Sequence, residues 1–421
     1  MNWTEHLNIQ ELDFPVSEQL ERKNAFNRFS ELGLPTRKNE AWKYTNLKKF
    51  IDEDWRLSTA SNVDANRLPK KINPNALQFV FINGRFSETH SDAFPTSFEI
   101  RTLSSLEHYP KDFGKIATNN KESLLELNKA LFQDGLFIHL KKSETLEQNI
   151  ELLFVYQSDE KQLSLPRNFF ILDENAEIFI TERHINLSKT EQFTNALTEV
   201  HVAKHARFNM CKIQNEDEQF NLIDHCWVNQ DEQSYAQVDT FSFGGKLIRN
   251  NLNFFHLGEH LESHLRAISI GDKRSHIDHS TLVDHAQANG FSNQLYKGIY
   301  DEQSHGVFNG RIMVRKDAQK TNAFQQNNNI VRSKQASIDT KPQLEIFADD
   351  VKCSHGCTVG QMDEQAVFYL QQRGIPKKEA TAMLIYAFAN EALENIKEPH
   401  LLQHIKTIMA HKLNVAGMEL N

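Results

Sequence analysis

Two cysteines and a histidine stand at alternate positions near the C-terminal end of the sequence, as Cys353, His355 and Cys357. Thiolate sulfur and imidazole nitrogen are ligands for zinc, iron and iron–sulfur clusters, so these residue types could hold a metal. Cysteine is also among the most buried residue types, so the same side chains could fill a core face, with the histidine satisfied by a hydrogen bond. The residue types alone leave both interpretations open.

The backbone predicted around these residues limits what they can bind. β-Branched residues favour an extended chain and Gly356 disfavours a helix, so the sequence predicts that 351–359 is a strand with the three side chains on one face. Cys353 and Cys357 would then lie about 13 Å apart, beyond the roughly 7 Å limit for a disulfide. Bonds of about 2.3 Å could not connect both thiolates to one tetrahedral ion. The strand therefore offers half a site, in which His355 and one cysteine take their remaining ligands from a neighbouring turn or from another chain.

Two further histidine clusters indicate a metal site less strongly, and two common catalytic motifs are missing from the sequence. His256, His260 and His264 are spaced by four, as in a metal-binding stripe on a helix, but Gly258 and nearby strand signals argue for solvated or core histidines. The segment HIDHSTLVDH, residues 276–285, could bind a metal or could consist of polar turn residues. The sequence contains neither a G-x-x-x-x-G-K-[ST] phosphate loop nor a G-x-S-x-G nucleophile elbow, so we predict no ATP hydrolysis by this chain.

The elements that position these residues fall into three predicted regions. Residues 1–146 predict a mixed α+β region, in which Asn83-Gly84 between two apolar runs predicts a hairpin. Residues 147–358 predict many short strands, which fit a sandwich, a barrel or a coil of stacked turns. The run TNAFQQNNNIVRSKQAS, residues 321–337, favours the coil, because stacked Asn and Gln side chains can form hydrogen-bonded ladders. The alternative for that run is a disordered low-complexity loop.

Residues 359–421 predict a C-terminal helical domain. One helix would begin after Asp363 as its N-cap and end at Gly374, and Pro376 stands where the next helix could start. The segment 377–396 is nearly free of helix breakers, and its apolar residues cover more than the single stripe that packing on one neighbour requires. It is predicted either as the central helix of a bundle or as a helix with one face that docks a partner protein.

Composition narrows the class of protein. The chain has 421 residues, a formal net charge of −9 and a pI near 6.1, which argues against a nucleic-acid-binding surface. It has no apolar run long enough to cross a membrane, and its acidic N-terminus is unlike a signal or transit peptide. Four cysteines are too few for a secreted disulfide framework of this length, so we expect reduced thiols in a cytoplasmic protein.

Several long segments resemble one known family. The segment PQLEIFADDVKCSHGCTVGQMDEQAVFYLQQRGIPKKEATAMLIYAFANEAL, residues 342–393, resembles the C-terminal signature of the SufB/SufD family, the scaffold proteins of the SUF iron–sulfur cluster assembly system. KNEAWKYTNL, LNKALFQDGLFIHL and SNQLYKGIYDEQSHGVFNGRIMVRKDAQKTNAFQQNNNIV resemble earlier parts of the same family, and EAWKYTNL with CSHG favours its SufD branch. The resemblance implies a mainly β fold, with a right-handed parallel β-helix between the N-terminal α+β region and the C-terminal helical domain.

The resemblance also implies a function. It implies a non-catalytic scaffold that pairs with SufB through the β-helix, docks the SufC ATPase through the C-terminal helices, and holds no cofactor stably on its own. It maps the family's cluster-associated histidine onto His355, facing a SufB cysteine across an interface where an iron–sulfur cluster or iron is held transiently. It leaves open whether the chain also forms a homodimer.

One departure and one alternative accompany the resemblance. Where the family usually has alanine, this chain has Cys357, and that thiol could be a ligand, a redox liability or packing. The alternative function is a β-helix carbohydrate-active enzyme, which would need paired carboxylates in a surface cleft.

Overall fold

The computed structural model describes residues 19–51, 53–118 and 121–413. Within this part of the chain the helices are α1 (Gln19–Leu32), α2 (Lys48–Ile51), α3 (Ser123–Leu131), α4 (Glu364–Gln372), α5 (Lys377–Asn390) and α6 (Pro399–Lys412). The early strands are β1 (Arg56–Leu57), β2 (Leu77–Ile82), β3 (Arg85–Phe86), β4 (Glu99–Thr102), β5 (Leu136–Leu140), β6 (Ile150–Tyr156) and β7 (Gln162–Ser164). The later strands are β8 (Arg167–Leu172), β9 (Glu177–Asn186), β10 (Gln192–Val202), β11 (Arg207–Gln214), β12 (Phe220–Gln230), β13 (Tyr235–Ser242), β14 (Leu247–His256), β15 (Glu262–Gly271), β16 (His276–His285), β17 (Phe291–Tyr300), β18 (His305–Val314), β19 (Asn322–Val331), β20 (Ser337–Ile346) and β21 (Lys352–Gly360).

From β8 onward the strands alternate between two sheets, which makes the fold a parallel β-solenoid. The even-numbered strands β8 to β20 lie side by side in sheet A, and the odd-numbered strands β9 to β21 lie in sheet B. Matching residues of adjacent turns are far apart in sequence; His276, for example, pairs with Leu247 on one side and His305 on the other. The fold is therefore mainly β, as predicted, and the coil of stacked turns is the correct one of the three arrangements considered.

One face of each strand fills the interior of the solenoid, because side chains alternate across a strand. An inward column of sheet A stays apolar over six turns, through Val200, Val228, Phe254, Val283, Ile312 and Leu344. Full burial of such a side chain contributes roughly 1.5–3 kcal/mol. In sheet B the facing column begins apolar and becomes polar in its last three turns, through Ile180, Met210, Val238, Leu265, Gln294, Gln325 and His355.

Helices cover the outer faces of both sheets. On sheet A, α1 and α3 pack together with Trp42 and Trp55. On sheet B, α5 and α6 form a common apolar cluster with outward residues of β11 to β17. The turn made by β20 and β21 comes last in both sheets, so each of these strands has one edge that pairs with no strand among the described residues. We call this turn the open end of the solenoid.

Local signals in the N-terminal part and in the Gln/Asn run predicted the backbone correctly. β2 and β3 form an antiparallel hairpin whose turn residues Asn83 and Gly84 have φ values of +50° and +76°. Residues 322–331 form strand β19 and are not a disordered loop. Strands β2, β4 and β5, which precede residue 147, extend the two sheets of the solenoid. The domain boundaries predicted at 146/147 and 358/359 stay predictions, and the ends of the chain, 1–18 and 414–421, lie outside the described residues.

The C-terminal helices follow the predicted signals with one correction. The Asp363 side chain accepts hydrogen bonds from two backbone N–H groups at the start of α4, a cap worth about 1 kcal/mol, and Gly374 follows the helix with φ +84°. The prediction of one helix over 377–396 is too long, because α5 ends at Asn390 and Leu393 then packs into the cluster against sheet B. None of the described helices is long and apolar enough to cross a membrane.

Candidate functional site

The three predicted ligand residues lie on β21, at the open end of the solenoid. Parallel pairing with β19 places Cys353 beside Ala323, His355 beside Gln325 and Cys357 beside Asn327. Those three β19 residues are buried in the interior, so the matching side chains of β21 face the same way. The structure therefore brings Cys353, His355 and Cys357 onto one face of one strand, at the mouth of the interior.

The two cysteines have different surroundings. Cys353 is half-buried and packs against the apolar cluster that contains Ile312 and Ala323, and burial raises the pKa of its thiol. Cys357 is exposed, and its Sγ lies 3.2 Å from Oγ1 of Thr340 on β20. Cys353 therefore fits the packing interpretation, whereas Cys357 is accessible to a ligand from outside the chain.

His355 is exposed and makes no hydrogen bond within the described residues. The interpretation of a core histidine satisfied by a hydrogen bond is therefore wrong for this residue, because β21 is the last strand of sheet B and no described strand pairs with its outer edge. Both ring nitrogens are available to another molecule. His355 also borders a pocket of about 430 Å³ on the side of sheet B that faces Glu391 at the end of α5.

Behind His355 the interior is polar, a feature that the sequence analysis did not identify. Gln325, the next residue of the column, is 1% exposed, and neither its amide nitrogen nor its oxygen has a hydrogen-bond partner in the structure. The amide nitrogen of Gln294, one turn further in, is also without a partner. The side chain of Gln325 crosses the interior opposite Gly310, where a Cβ atom would lie 2.4 Å from the amide nitrogen. The Gln/Asn run, residues 321–337, contains Gln325, but which of its side chains face the interior depends on the strand register, which the sequence alone does not give.

Within the described residues, no three His, Cys, Asp or Glu side chains come close enough together to hold a metal ion. A metal bound by His355 or Cys357 would therefore need ligands from outside the described residues. The three side chains lie on one face of one strand, as the sequence predicts. The metal role of His355, Cys353 and Cys357 stays a prediction.

The other predicted histidine clusters are located on strands and turns. His256 and His285 are buried on adjacent turns with their Nδ1 atoms 2.9 Å apart, and each Nε2 atom contacts a serine hydroxyl. Burial lowers the pKa of both histidines, so both are neutral and act as hydrogen-bonded core residues. His260 lies in an exposed turn with φ +57°. The four-residue spacing therefore does not produce a helical stripe.

Two exposed apolar surfaces lie near the site. At the open end, Ile346, Phe347 and Val359 are exposed large side chains beside the free strand edges. On α4, Phe368 and Tyr369 are 60% and 57% exposed. The sequence predicts 377–396 either as the central helix of a bundle or as a helix with a docking face. One face of α5, with Ile385, Tyr386 and Ala389, packs into the cluster against sheet B, and the large exposed aromatic side chains are on α4.

Comparison with known proteins assigns both halves of the chain to the same kind of protein. Residues 154–388 match a family model described as "SUF system FeS cluster assembly, SufBD core domain". Residues 5–152 match a model described as "SufBD protein N-terminal region". The first match spans more than half of the chain and contains the whole open end.

Similar full-length proteins carry names from the same system. The chain is 32% identical over 390 residues to iron-sulfur cluster assembly protein SufD of Escherichia coli, covering 90% of each chain. It is 30% identical over 393 residues to an iron-sulfur cluster assembly SufBD family protein of Synechocystis sp., covering 89% of this chain and 86% of the relative. Identity to SufD of Bacillus subtilis is 21% over 315 residues.

Proposed function

Because the chain belongs to the SufBD family of iron–sulfur cluster assembly proteins, we propose that it is a SufD-type scaffold subunit without catalytic turnover of its own. The observation that carries the proposal is the exposed His355 at the mouth of the solenoid, beside an accessible thiol and without a complete ligand set. Such a half-site makes chemical sense only where a second chain supplies the missing ligands. An iron–sulfur cluster or its iron is the cargo of this site.

The open end is the surface that we assign to SufB. The free edges of β20 and β21 can pair with strands of another chain, and main-chain hydrogen bonds of this kind give affinity in β-augmentation. Ile346, Phe347 and Val359 supply apolar contacts around those edges. Docking there would place a SufB ligand opposite His355, as the family resemblance implies. A second copy of this chain could use the same edges, so a homodimer and the SufB complex would compete.

Within the site, we assign the main ligand role to His355. A neutral imidazole nitrogen suits iron, and both nitrogens of this residue are without an internal partner. Cys357 is the second candidate, whereas the packing of Cys353 against the interior makes it the weakest of the three.

The second docking surface is the exposed face of α4, and we propose that it contributes to SufC binding together with the start of α5. Phe368 and Tyr369 are large and solvent-exposed, a pattern that is typical of interface residues. We expect deletion of 360–421 to abolish SufC binding. Because that deletion also uncovers sheet B, the double substitution Phe368→Ser and Tyr369→Ser is the cleaner test.

The deciding experiment compares His355→Ala, Cys357→Ala and His260→Ala in the complex reconstituted with SufB and SufC. His260 is an exposed histidine in a distant turn and serves as the matched control. We expect all three variants to form the complex at wild-type elution volume, and we expect only His355→Ala to lose cluster absorbance after anaerobic reconstitution. Normal absorbance in His355→Ala would contradict the ligand role, and a loss in Cys357→Ala would make that thiol a ligand as well.

The enzyme alternative has less support. The Escherichia coli and Bacillus subtilis relatives are named as assembly proteins and not as carbohydrate-active enzymes. The cytoplasmic location stays a prediction from the sequence.

A further inference from the structure

A polar groove of about 260 Å³ runs along the outer face of sheet A, away from the open-end histidine. Its floor is formed by outward residues of β12, β14, β16, β18 and β20, and its wall is formed by Glu40, Ala41 and Glu122. The groove ends on β20, whose free edge is assigned to SufB above, but it contains none of the three residues of the proposed cluster site.

At the floor of the groove, His225 presents an N–H group that has no acceptor. The Nε atom of Arg249 donates to Oδ1 of Asn251 at 3.0 Å, and a guanidinium can only donate. The Asn251 amide nitrogen must therefore be the atom that faces Nδ1 of His225, at 3.4 Å. Nδ1 accepts, so the proton of the neutral ring is on Nε2. That nitrogen is buried and has no hydrogen-bond partner in the structure.

Burial and the nearby guanidinium of Arg249 lower the pKa of His225 to about 3, which keeps the ring neutral and this tautomer fixed at physiological pH. A neutral imidazole has one N–H group, and none of the described residues supplies an acceptor for it. Leaving a buried donor unsatisfied is costly, which favours a bound acceptor.

A second unsatisfied donor lies two residues along the same strand. The indole nitrogen of Trp227 is buried without an acceptor, and an indole N–H can only donate. The ring itself is held by stacking on Phe255, with centroids 5.4 Å apart. His225 and Trp227 therefore present two fixed N–H donors side by side on β12.

The remaining walls of the groove carry polar groups that are free to bind. The side chains of Asn253, Ser280, Asn309 and Gln343 line the groove and make no hydrogen bond within the described residues. Arg311 adds a guanidinium whose nearest carboxylate, on Glu345, is 3.8 Å away. Lys341 adds an ammonium group that pairs with Glu40 at the rim.

The acidic residues of the groove are largely compensated. Asp278 neutralises Arg249 beneath the floor, and Glu40 is paired with Lys341. Glu122 accepts a hydrogen bond from Trp42, and burial raises its pKa, which weakens its negative charge. Arg311 is paired with Glu345, so the carboxylates of the groove match its cations. An anion would therefore be held by hydrogen bonds from the unsatisfied N–H donors and from Arg311, and not by an excess of positive charge.

We propose that this groove binds a small oxyanion, a phosphate or carboxylate compound, whose oxygens accept hydrogen bonds from His225 Nε2, from Trp227 Nε1 and from Arg311, which would exchange its long ion pair with Glu345 for the ligand. Charge-assisted hydrogen bonds to such an anion are the strong class. The residues that form the groove are separate from His355, so the site stands whether or not the open end holds a cluster.

The test titrates the protein separately with inorganic phosphate and with malonate. Calorimetry measures the heat of binding, and NMR monitors the indole N–H resonance of Trp227. Trp227→Phe keeps a ring that can stack on Phe255 and removes the donor, and its missing resonance assigns the signal. Arg311→Gln removes the cation. Arg274→Gln is the matched control, because Arg274 is an exposed arginine outside the groove whose Nε atom donates a hydrogen bond to the Gln303 side chain.

We expect saturable binding of at least one probe with a downfield shift of the Trp227 indole proton. Trp227→Phe and Arg311→Gln should each weaken binding by roughly tenfold or more, and Arg274→Gln should leave it unchanged. Binding of phosphate alone or of malonate alone would identify the chemical source. The proposal is overturned by the absence of heat and shift at probe concentrations on the order of 10 mM, or by an equal loss in Arg274→Gln.

Discussion

Replacing Lys212 by methionine tests whether the solenoid interior is dry around its buried charges. Lys212 is completely buried on β11 and contacts carboxylate oxygens of Glu182 at 3.0 Å and Asp224 at 2.6 Å. Methionine keeps the length and apolar stem of the side chain and removes only the ammonium group. Both carboxylates would then be buried without their cation.

The expected cost follows from the two carboxylates. Burial opposes ionisation of Glu182, but Lys212 outweighs it and, with His184, lowers the pKa from 4.5 to about 2. At 1.36 kcal/mol per pKa unit this corresponds to about 3 kcal/mol of stabilisation at neutral pH. Breaking a buried ion pair by removing one partner costs about 3–5 kcal/mol. We therefore expect Lys212→Met to lower the free energy of unfolding by about 3–5 kcal/mol at pH 7.

The contribution of Glu182 depends on pH with opposite signs in the two proteins, whereas burial already raises the pKa of Asp224 in the wild type. In the wild type the pKa of Glu182 is depressed, so its contribution is present above pH 4.5 and is lost as the pH falls towards 2. In Lys212→Met the uncompensated carboxylates have raised pKa values, and protonation on acidification relieves their cost. The difference between variant and wild type should therefore shrink from pH 8 to pH 5.

Urea unfolding followed by tryptophan fluorescence and far-UV circular dichroism measures these differences. Lys204→Met is the matched control, because Lys204 pairs with Glu232 on the surface at 3.0 Å and should cost less than about 1 kcal/mol. Adding Glu182→Gln to Lys212→Met should recover much of the loss. The reasoning is refuted if Lys212→Met costs no more than Lys204→Met, since water would then screen the interior charges.

Three further predictions concern packing and the exposed surfaces. Gly135→Ala should destabilise the protein by about 3 kcal/mol or more, because a Cβ atom there would lie 1.6 Å from the Arg167 carbonyl oxygen. Gly356→Ala should change stability by less than about 0.5 kcal/mol, because no atom lies within 4 Å of the added Cβ. Comparing the urea unfolding midpoints of the two variants tests the difference. Cys357→Ala should leave the unfolding midpoint unchanged because the thiol is exposed. Phe368→Ser should preserve the melting temperature of the isolated chain while weakening SufC capture in a pull-down, and an equal loss of melting temperature would instead assign the ring to the fold.

The sequence predicts those parts of the fold that depend on neighbouring residues. Asn83-Gly84 requires positive φ values and produced the hairpin, and Asp363 satisfies the N–H groups that begin α4. The end of α5 was missed because helix propensity continues to residue 396, whereas the structure ends the helix at Asn390 and packs Leu393, in the turn that follows, against sheet B. Local propensity alone therefore does not locate the end of this helix.

For the candidate site, a period of two predicts which residues share a face but not which residues lie beside them in the next turn. His355 pairs with Gln325, 30 positions earlier, and no local pattern in either segment specifies that register. The difference between the two cysteines arises in the same way. Cys353 faces an apolar cluster and Cys357 faces Thr340, so the opposite sheet decides which thiol is buried.

The same geometry explains why the site that we propose lies at an end of the solenoid. In every inner turn an inward residue is enclosed by a strand on each side, as the 1% exposure of Gln325 shows. At the open end the inward side chains of β20 and β21 have no further described turn beyond them, so His355 can remain on a rigid β-strand and still be exposed. A second chain that pairs with the free edges would continue the solenoid and bury the histidine with it. The step that completes the ligand set is then the step that excludes water.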